Sequence, residues 1–129
     1  MSEEKKKRVR NSKRSRARGV AYEQQIAKEL RELGFEGVVT SRSESKAMDN
    51  NKIDLVDKNN QLFFYSQLKR TQQCPNWFKI ESECPLKDKP FVIFWNSQVP
   101  TEKTFRSLGE IVMLPKSFFY ELIKSYGNL

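Results

Sequence analysis

Tyr22, Ile26, Leu30 and Leu33 recur at the spacing of one helical face, which predicts a helix over residues 18–33 with Gly34 as its stop. Shorter apolar stretches follow. Residues 38–42 and 52–57 read as strands, separated by a polar loop over 44–51 that contains an Asn-Asn pair. Lys58-Asn59-Asn60 is a turn and 61–69 the next strand, so residues 52–69 are expected to form a hairpin. Residues 71–88 are mixed, with Trp77, Phe78 and Ile80 marking a short helix or an irregular packed segment. Phe91-Val92-Ile93-Phe94-Trp95 is apolar throughout, the pattern of a central strand. A loop over 97–109 and a strand over 110–114 come next. Pro115 and Ser117 then introduce a last helix whose apolar positions are Phe118, Phe119, Leu122, Ile123 and Tyr126, either core or a dimer face. The order α-β-β-β-(α)-β-β-α predicts a mixed α/β or α+β sandwich, without repeats or a second domain.

A chain of 129 residues with 37% hydrophobic and 12% aromatic positions is long enough to bury a core in one domain. The charge changes the picture more. Residues 1–18 carry nine Lys and Arg against Glu3 and Glu4, which is +7 of the total +8. With Val9 as its one large apolar residue, residues 1–17 are expected to be a disordered basic arm ahead of a folded domain over 18–129. Such an arm suits a polyanion, and nucleic acid is favoured over a mere solubility tail or a patch drawn to anionic lipid, since nothing amphipathic follows to insert in a membrane. The basic run is not followed by an apolar stretch, so it is not a secretory signal, and no apolar run approaches the ~20 residues a membrane helix needs. Cys74 and Cys84 read as free thiols in a reducing cytoplasm, a secreted disulfide protein being the minor alternative. The chain has no histidine. That excludes Ser-His-Asp and Cys-His catalysis and His-bearing zinc sites, and leaves Asp, Glu, Lys, Ser, Tyr or Cys with a metal held by oxygen.

Asp54 interrupts the apolar run Ile53-Asp54-Leu55-Val56, where a carboxylate is costly unless paired or bound to a cation. On the next strand Phe63, Tyr65, Gln67 and Lys69 share one face, so a hairpin would bring Gln67 and Lys69 near Asp54. On the first helix Glu23 falls toward the apolar arc, with Glu29 as its nearest rival and Glu32 further round. Each acid has an ordinary alternative: Asp54 facing solvent or pairing with Lys52, Glu23 as an N-terminal-turn acid favoured by the helix dipole. Together these types suit metal-assisted phosphodiester hydrolysis. Glu23 and Asp54 would supply carboxylate oxygens and Gln67 its amide oxygen to Mg2+ (or Mn2+), while Lys69 would hold the attacking water or offset developing charge.

At these residues the chain resembles the PD-(D/E)XK nuclease superfamily, and within it the small archaeal-type and phage Holliday junction resolvases. The likeness covers residues 18–95: a helix with Arg18-Gly19 and Glu23, a Ser-rich loop, Ile53-Asp54-Leu55-Val56, then Gln67-Leu68-Lys69. It implies a restriction-endonuclease-like α/β fold, a central mixed β-sheet flanked by helices with an α-β-β-β-α-β core, usually dimeric. It also implies Glu23 and Asp54 as metal ligands, Gln67 at the usual acid position, and Lys69 as the catalytic lysine. Ser41, Arg42 and Ser43 match a loop that contacts the DNA backbone, and Arg8, Arg10, Lys13, Arg14, Arg16 and Arg18 the basic N-terminus. Two positions depart from the pattern. Ile53 stands where a proline commonly precedes the Asp, and Gln67 replaces a carboxylate, as in restriction endonucleases with a QxK motif. The second departure removes one negative charge from the metal site. Asp49 is a further candidate acid, whereas Asp57 is expected to point away from Asp54. The expected activity is a magnesium-dependent endonuclease on duplex or branched DNA, acting as a homodimer in the cytoplasm of a prokaryotic or phage-infected cell. The alternatives are a DNA-binding or accessory protein that keeps the fold without cleavage, and a small RNA-binding protein that uses only its arm.

Overall fold

The computed structural model describes residues 2–127, and of residues 3–12 the backbone only. Helix α1 spans Glu3–Glu32. The expected disordered arm over 1–17 is therefore, from Glu3 on, a continuation of the helix. Lys, Arg and Glu are good helix formers, no proline interrupts them, and extending a helix already nucleated adds one hydrogen bond per residue ordered. At its other end α1 closes in a Schellman turn: Phe35 N–H donates to Leu30 O at 3.0 Å and Gly34 N–H to Arg31 O at 3.1 Å. Gly34 holds φ 115° there, a conformation only glycine adopts without strain. The turn leaves Leu33 76% exposed and folds Phe35 back onto the core, so Leu33 is not the core residue its spacing suggests.

Strand β1 (Val38–Thr40) pairs antiparallel with β2 (Leu55–Asp57), Val38 opposite Asp57 and Thr40 opposite Leu55. Between them the expected loop folds into two short helices, α2 (Ser41–Glu44) and α3 (Lys46–Asn50), and Ser45 caps the second by accepting from Met48 N–H. The Asp57 carboxylate accepts from the N–H groups of Asn59, Gln61 and Leu62 and so organises the following turn, away from Asp54 as expected.

The expected hairpin over 52–69 is not formed. Strand β3 (Tyr65–Thr71) pairs in parallel with β4 (Phe91–Pro100), from Tyr65 opposite Phe91 to Lys69 opposite Trp95, through the crossover helix α4 (Trp77–Glu83). Strand β5 (Phe105–Met113) adds antiparallel to β4, which makes β4 the central strand of a mixed three-stranded sheet. The stretch read as a loop over 97–109 is thus mostly strand. The buried polar positions here are Asn96 and Gln98 of β4, which bond one another, Gln98 Nε2 donating to Asn96 Oδ1 at 2.9 Å, and the exposed Ser107 donates its hydroxyl to the same oxygen. A reading based on apolar runs misses a strand whose buried positions are side-chain amides.

Alternation along β3 divides the core. Leu68 packs with Tyr22, Ile26, Ala27 and Leu30 of α1, and Tyr65 with Ile53, Cys84, Phe91 and Ile93 beneath α4. Trp77 belongs to the second cluster and donates from Nε1 to Phe91 O, which makes it a core residue; Phe78 points outward. Helix α5 (Lys116–Gly127) buries Phe118 against Phe63 at 5.9 Å and leaves Phe119, Leu122, Ile123 and Tyr126 exposed. The result is an α/β fold of a mixed three-stranded sheet, a two-stranded antiparallel sheet and helices. Both cysteines are free, Cys84 buried and Cys74 exposed.

Candidate active site

Asp54 lies one residue before β2, at the seam between the two sheets. Three bonds of 2.8 Å hold it there: its N–H donates to Ser66 O, its carbonyl accepts from Ser41 N–H, and its Oδ2 accepts from Leu68 N–H. The side chain thus takes the place of a strand carbonyl on the edge of β3. Lys52 at φ 67° turns the chain into this position and sends Ile53 into the core beneath α4. Asp54 is bonded to the backbone on either side of Gln67, although β2 and β3 do not form a ladder. The expected proximity of Asp54 to the Gln-x-Lys strand therefore arises by a different route from the one the sequence suggested.

Burial pushes the Asp54 carboxyl up to about 6. The Leu68 N–H bond opposes this, the Glu23 carboxylate adds to it, Lys69 opposes it and Asp49 adds to it. Glu23 from α1, Asp49 from α3 and Lys69 from β3 therefore all act on Asp54. Gln67 is buried, and its Nε2 donates to Lys52 O at 2.9 Å, which fixes the amide plane and leaves Oε1 as its acceptor.

Glu23 is buried on the core side of α1, where the helical arc put it, but its two oxygens accept from Arg42 Nε and Nη2 at 3.1 Å each. The pair is lopsided, with side-chain exposures of 50% for Arg42 and 8% for Glu23. Arg42 therefore neutralises an acid of the site itself, which differs from the expected role of contacting DNA. Ser41 departs further from a DNA-contacting role: it is 1% exposed, its hydroxyl donates to Asp49 Oδ1 at 3.4 Å, and it is out of reach of a nucleic-acid backbone. Ser43 is exposed but exchanges hydrogen bonds with Thr40 in the single turn of α2. Of the basic residues, Lys13, Arg14 and Arg16 are exposed on α1 and Arg18 is half-buried; the Arg8 and Arg10 side chains lie outside the described residues.

Among the described residues no three acidic or thiol side chains gather as a metal-ion cluster. The groups that would have to supply oxygen to a cation are the Asp54 carboxylate and the Gln67 amide, with the Glu23 and Asp49 carboxylates acting on Asp54 electrostatically. Such a set fits a hard cation that keeps most of its water, because magnesium needs only one or two carboxylates and is completed by phosphate oxygen. Positive charge placed at Asp54 would relieve the repulsion from Glu23 and Asp49.

Removal of Arg42 leaves a buried carboxylate without its partner. Arg42→Ala is expected to destabilise the fold by about 1–3 kcal/mol, and in the Glu23→Gln background by much less. A double-mutant cycle in urea measures this, and equal losses in both backgrounds would show that the pair is not coupled.

No protein-family model, no curated protein and no solved structure matches the chain.

Proposed function

We propose that the protein is a magnesium-dependent endonuclease that hydrolyses DNA phosphodiester bonds, with branched DNA such as four-way junctions among its substrates. The carrying observation is the placement of Asp54, pinned to β3 at Ser66 and Leu68 beside Gln67 and Lys69 and within electrostatic reach of Glu23 and Asp49. Asp54 and the Gln67 amide oxygen would hold the cation, with Glu23 or Asp49 acting through water. When bound, the cation would acidify a water and polarise the phosphate. The Lys69 ammonium would orient the attacking oxygen and offset the charge that builds on the phosphate. The Glu23–Arg42 pair keeps that acid neutralised; a cation held by Glu23 would compete with Arg42 and leave its guanidinium available to a phosphate. The homodimer belongs to the same proposal, and the exposed apolar residues of α5 suit it.

A second reading, a DNA-binding protein without cleavage, is favoured by two observations. Both Glu23 oxygens are engaged by Arg42, and Gln67 stands where an acid would strengthen cation binding. Incubating the purified chain with four-way junctions, linear duplex and single strands, with and without magnesium, separates the two. Metal-dependent nicking that disappears in Lys69→Ala supports the nuclease. Binding of any of these DNAs that survives Lys69→Ala, with nothing nicked, supports the second reading.

The basic half of α1 carries a separate expectation. Deleting residues 1–17 should weaken DNA affinity and flatten its dependence on salt, because each phosphate contact contributes about 0.9 to the slope of log affinity against log salt. An unchanged slope in a salt titration would remove the polyanion role. No helix among the described residues is long and apolar enough to cross a membrane.

A further inference from the structure

We propose that the groove between α1 and the ends of β3 and β5 nearest Thr71 and Phe105 binds an unpaired nucleotide stretch, with Arg18 and Arg70 on its phosphates and Phe105 stacked on a base. The groove encloses about 360 Å³, and its charged lining residues are Arg18, Lys69 and Arg70, with no acid among them. That volume is near the lower end of ligand pockets, about 300–1,000 Å³, and suits a nucleotide rather than a duplex. Phe105 is half-buried in the wall, and the Arg18 guanidinium lies 4.8 Å from its ring centroid. A nucleobase stacks on the same ring face once that guanidinium turns to a phosphate. In a duplex the base faces are already stacked on one another, so an aromatic wall recognises unpaired strand.

The remaining lining supports the assignment. Arg70 is held in place from below: its Nε donates to Gln98 Oε1 at 3.4 Å, and Gln98, 3% exposed, is anchored in turn on Asn96. That leaves the two Nη groups as the remaining donors of the guanidinium. Gly19 lies on the helix side of the groove, and a Cβ built there meets nothing within 4 Å. A glycine inside a helix lowers its stability, so its presence beside open space favours keeping the groove wide. Lys69 lines this groove and also acts on Asp54, so a strand lying in it leads to the candidate active site. The direction of that path rests on the nuclease reading. The groove's affinity for unpaired strand does not.

The test is anisotropy of a short labelled oligo(dT) and of a blunt duplex, each titrated with the full chain in EDTA. Phe105→Ala is expected to weaken oligo(dT) binding about tenfold and duplex binding less than about twofold, with Phe105→Trp restoring it. Gly19→Leu fills the groove while improving helix propensity. It should weaken oligo(dT) binding similarly without lowering the melting temperature, which separates blockage from misfolding. Oligo(dT) affinity unmoved by both Phe105→Ala and Gly19→Leu would overturn the proposal. Binding in EDTA is independent of the metal, so Phe105-dependent binding by a chain that nicks no DNA when magnesium is added would retire the nuclease reading and keep the groove. Cleavage with unaltered oligo(dT) binding in both variants would do the reverse.

Discussion

Asp54→Asn is expected to abolish metal-dependent cleavage, by on the order of 10²–10³-fold or more, and at the same time to stabilise the protein at neutral pH. The Asn oxygen still accepts from Leu68 N–H, so the seam between the sheets survives. What disappears is a charge held in an unfavourable place. The Asp54 carboxyl is raised from 3.8 to about 6 by burial first, and the folded state therefore binds its proton more tightly than the unfolded chain does. The stability attached to that proton is fully present below pH 3.8 and is lost as pH rises through about 6. A shift of this size corresponds to about 2 kcal/mol once partial solvent access is allowed for. In EDTA the variant should therefore melt above the parent chain at pH 8 and close to it at pH 4. Magnesium should raise the melting temperature of the parent alone. A variant that melts lower at pH 8 and still nicks DNA would refute both the strained carboxylate and its role in catalysis.

Ile53→Ala should cost about 2–5 kcal/mol, the largest stability loss expected of the changes considered. Ile53 is 0% exposed and packs in the cluster with Tyr65, Cys84, Phe91 and Ile93. It also sets the position of Asp54, its neighbour at the seam, so weakened magnesium binding should accompany the loss. Leu33→Ala provides the contrast. Helical spacing makes Leu33 a core residue, but the Gly34 turn exposes it, and the expected change is within about 0.5 kcal/mol. Urea denaturation of the two variants at equal m-value measures both. Similar losses for the two would mean that Leu33 is packed after all.

The apolar arc of Tyr22, Ile26 and Leu30, the central strand from Phe91 and the inward placement of Glu23 were legible in the residues themselves. The helical positions rest on local periodicity, which a helix must show if one face is to be buried, and the strand on an unbroken apolar run. The idea that Asp54 needs a partner was also legible, because a carboxylate among Ile53, Leu55 and Val56 conflicts with its neighbours whatever the fold. Periodicity says nothing about which strands pair. Only the tertiary structure placed β2 on β1 and β3 on β4, because strand partners are chosen by packing between distant segments. It also turned the polar stretch around Gln98 and Ser107 into sheet, since the buried amides of Asn96 and Gln98 satisfy one another there. And it directed Arg42 to Glu23 and drew Arg18, Lys69, Arg70 and Phe105 around one groove, from segments up to 87 residues apart in the chain. Single side chains declared their chemistry in the sequence, but which of them would meet depended on long-range contacts that no local pattern encodes.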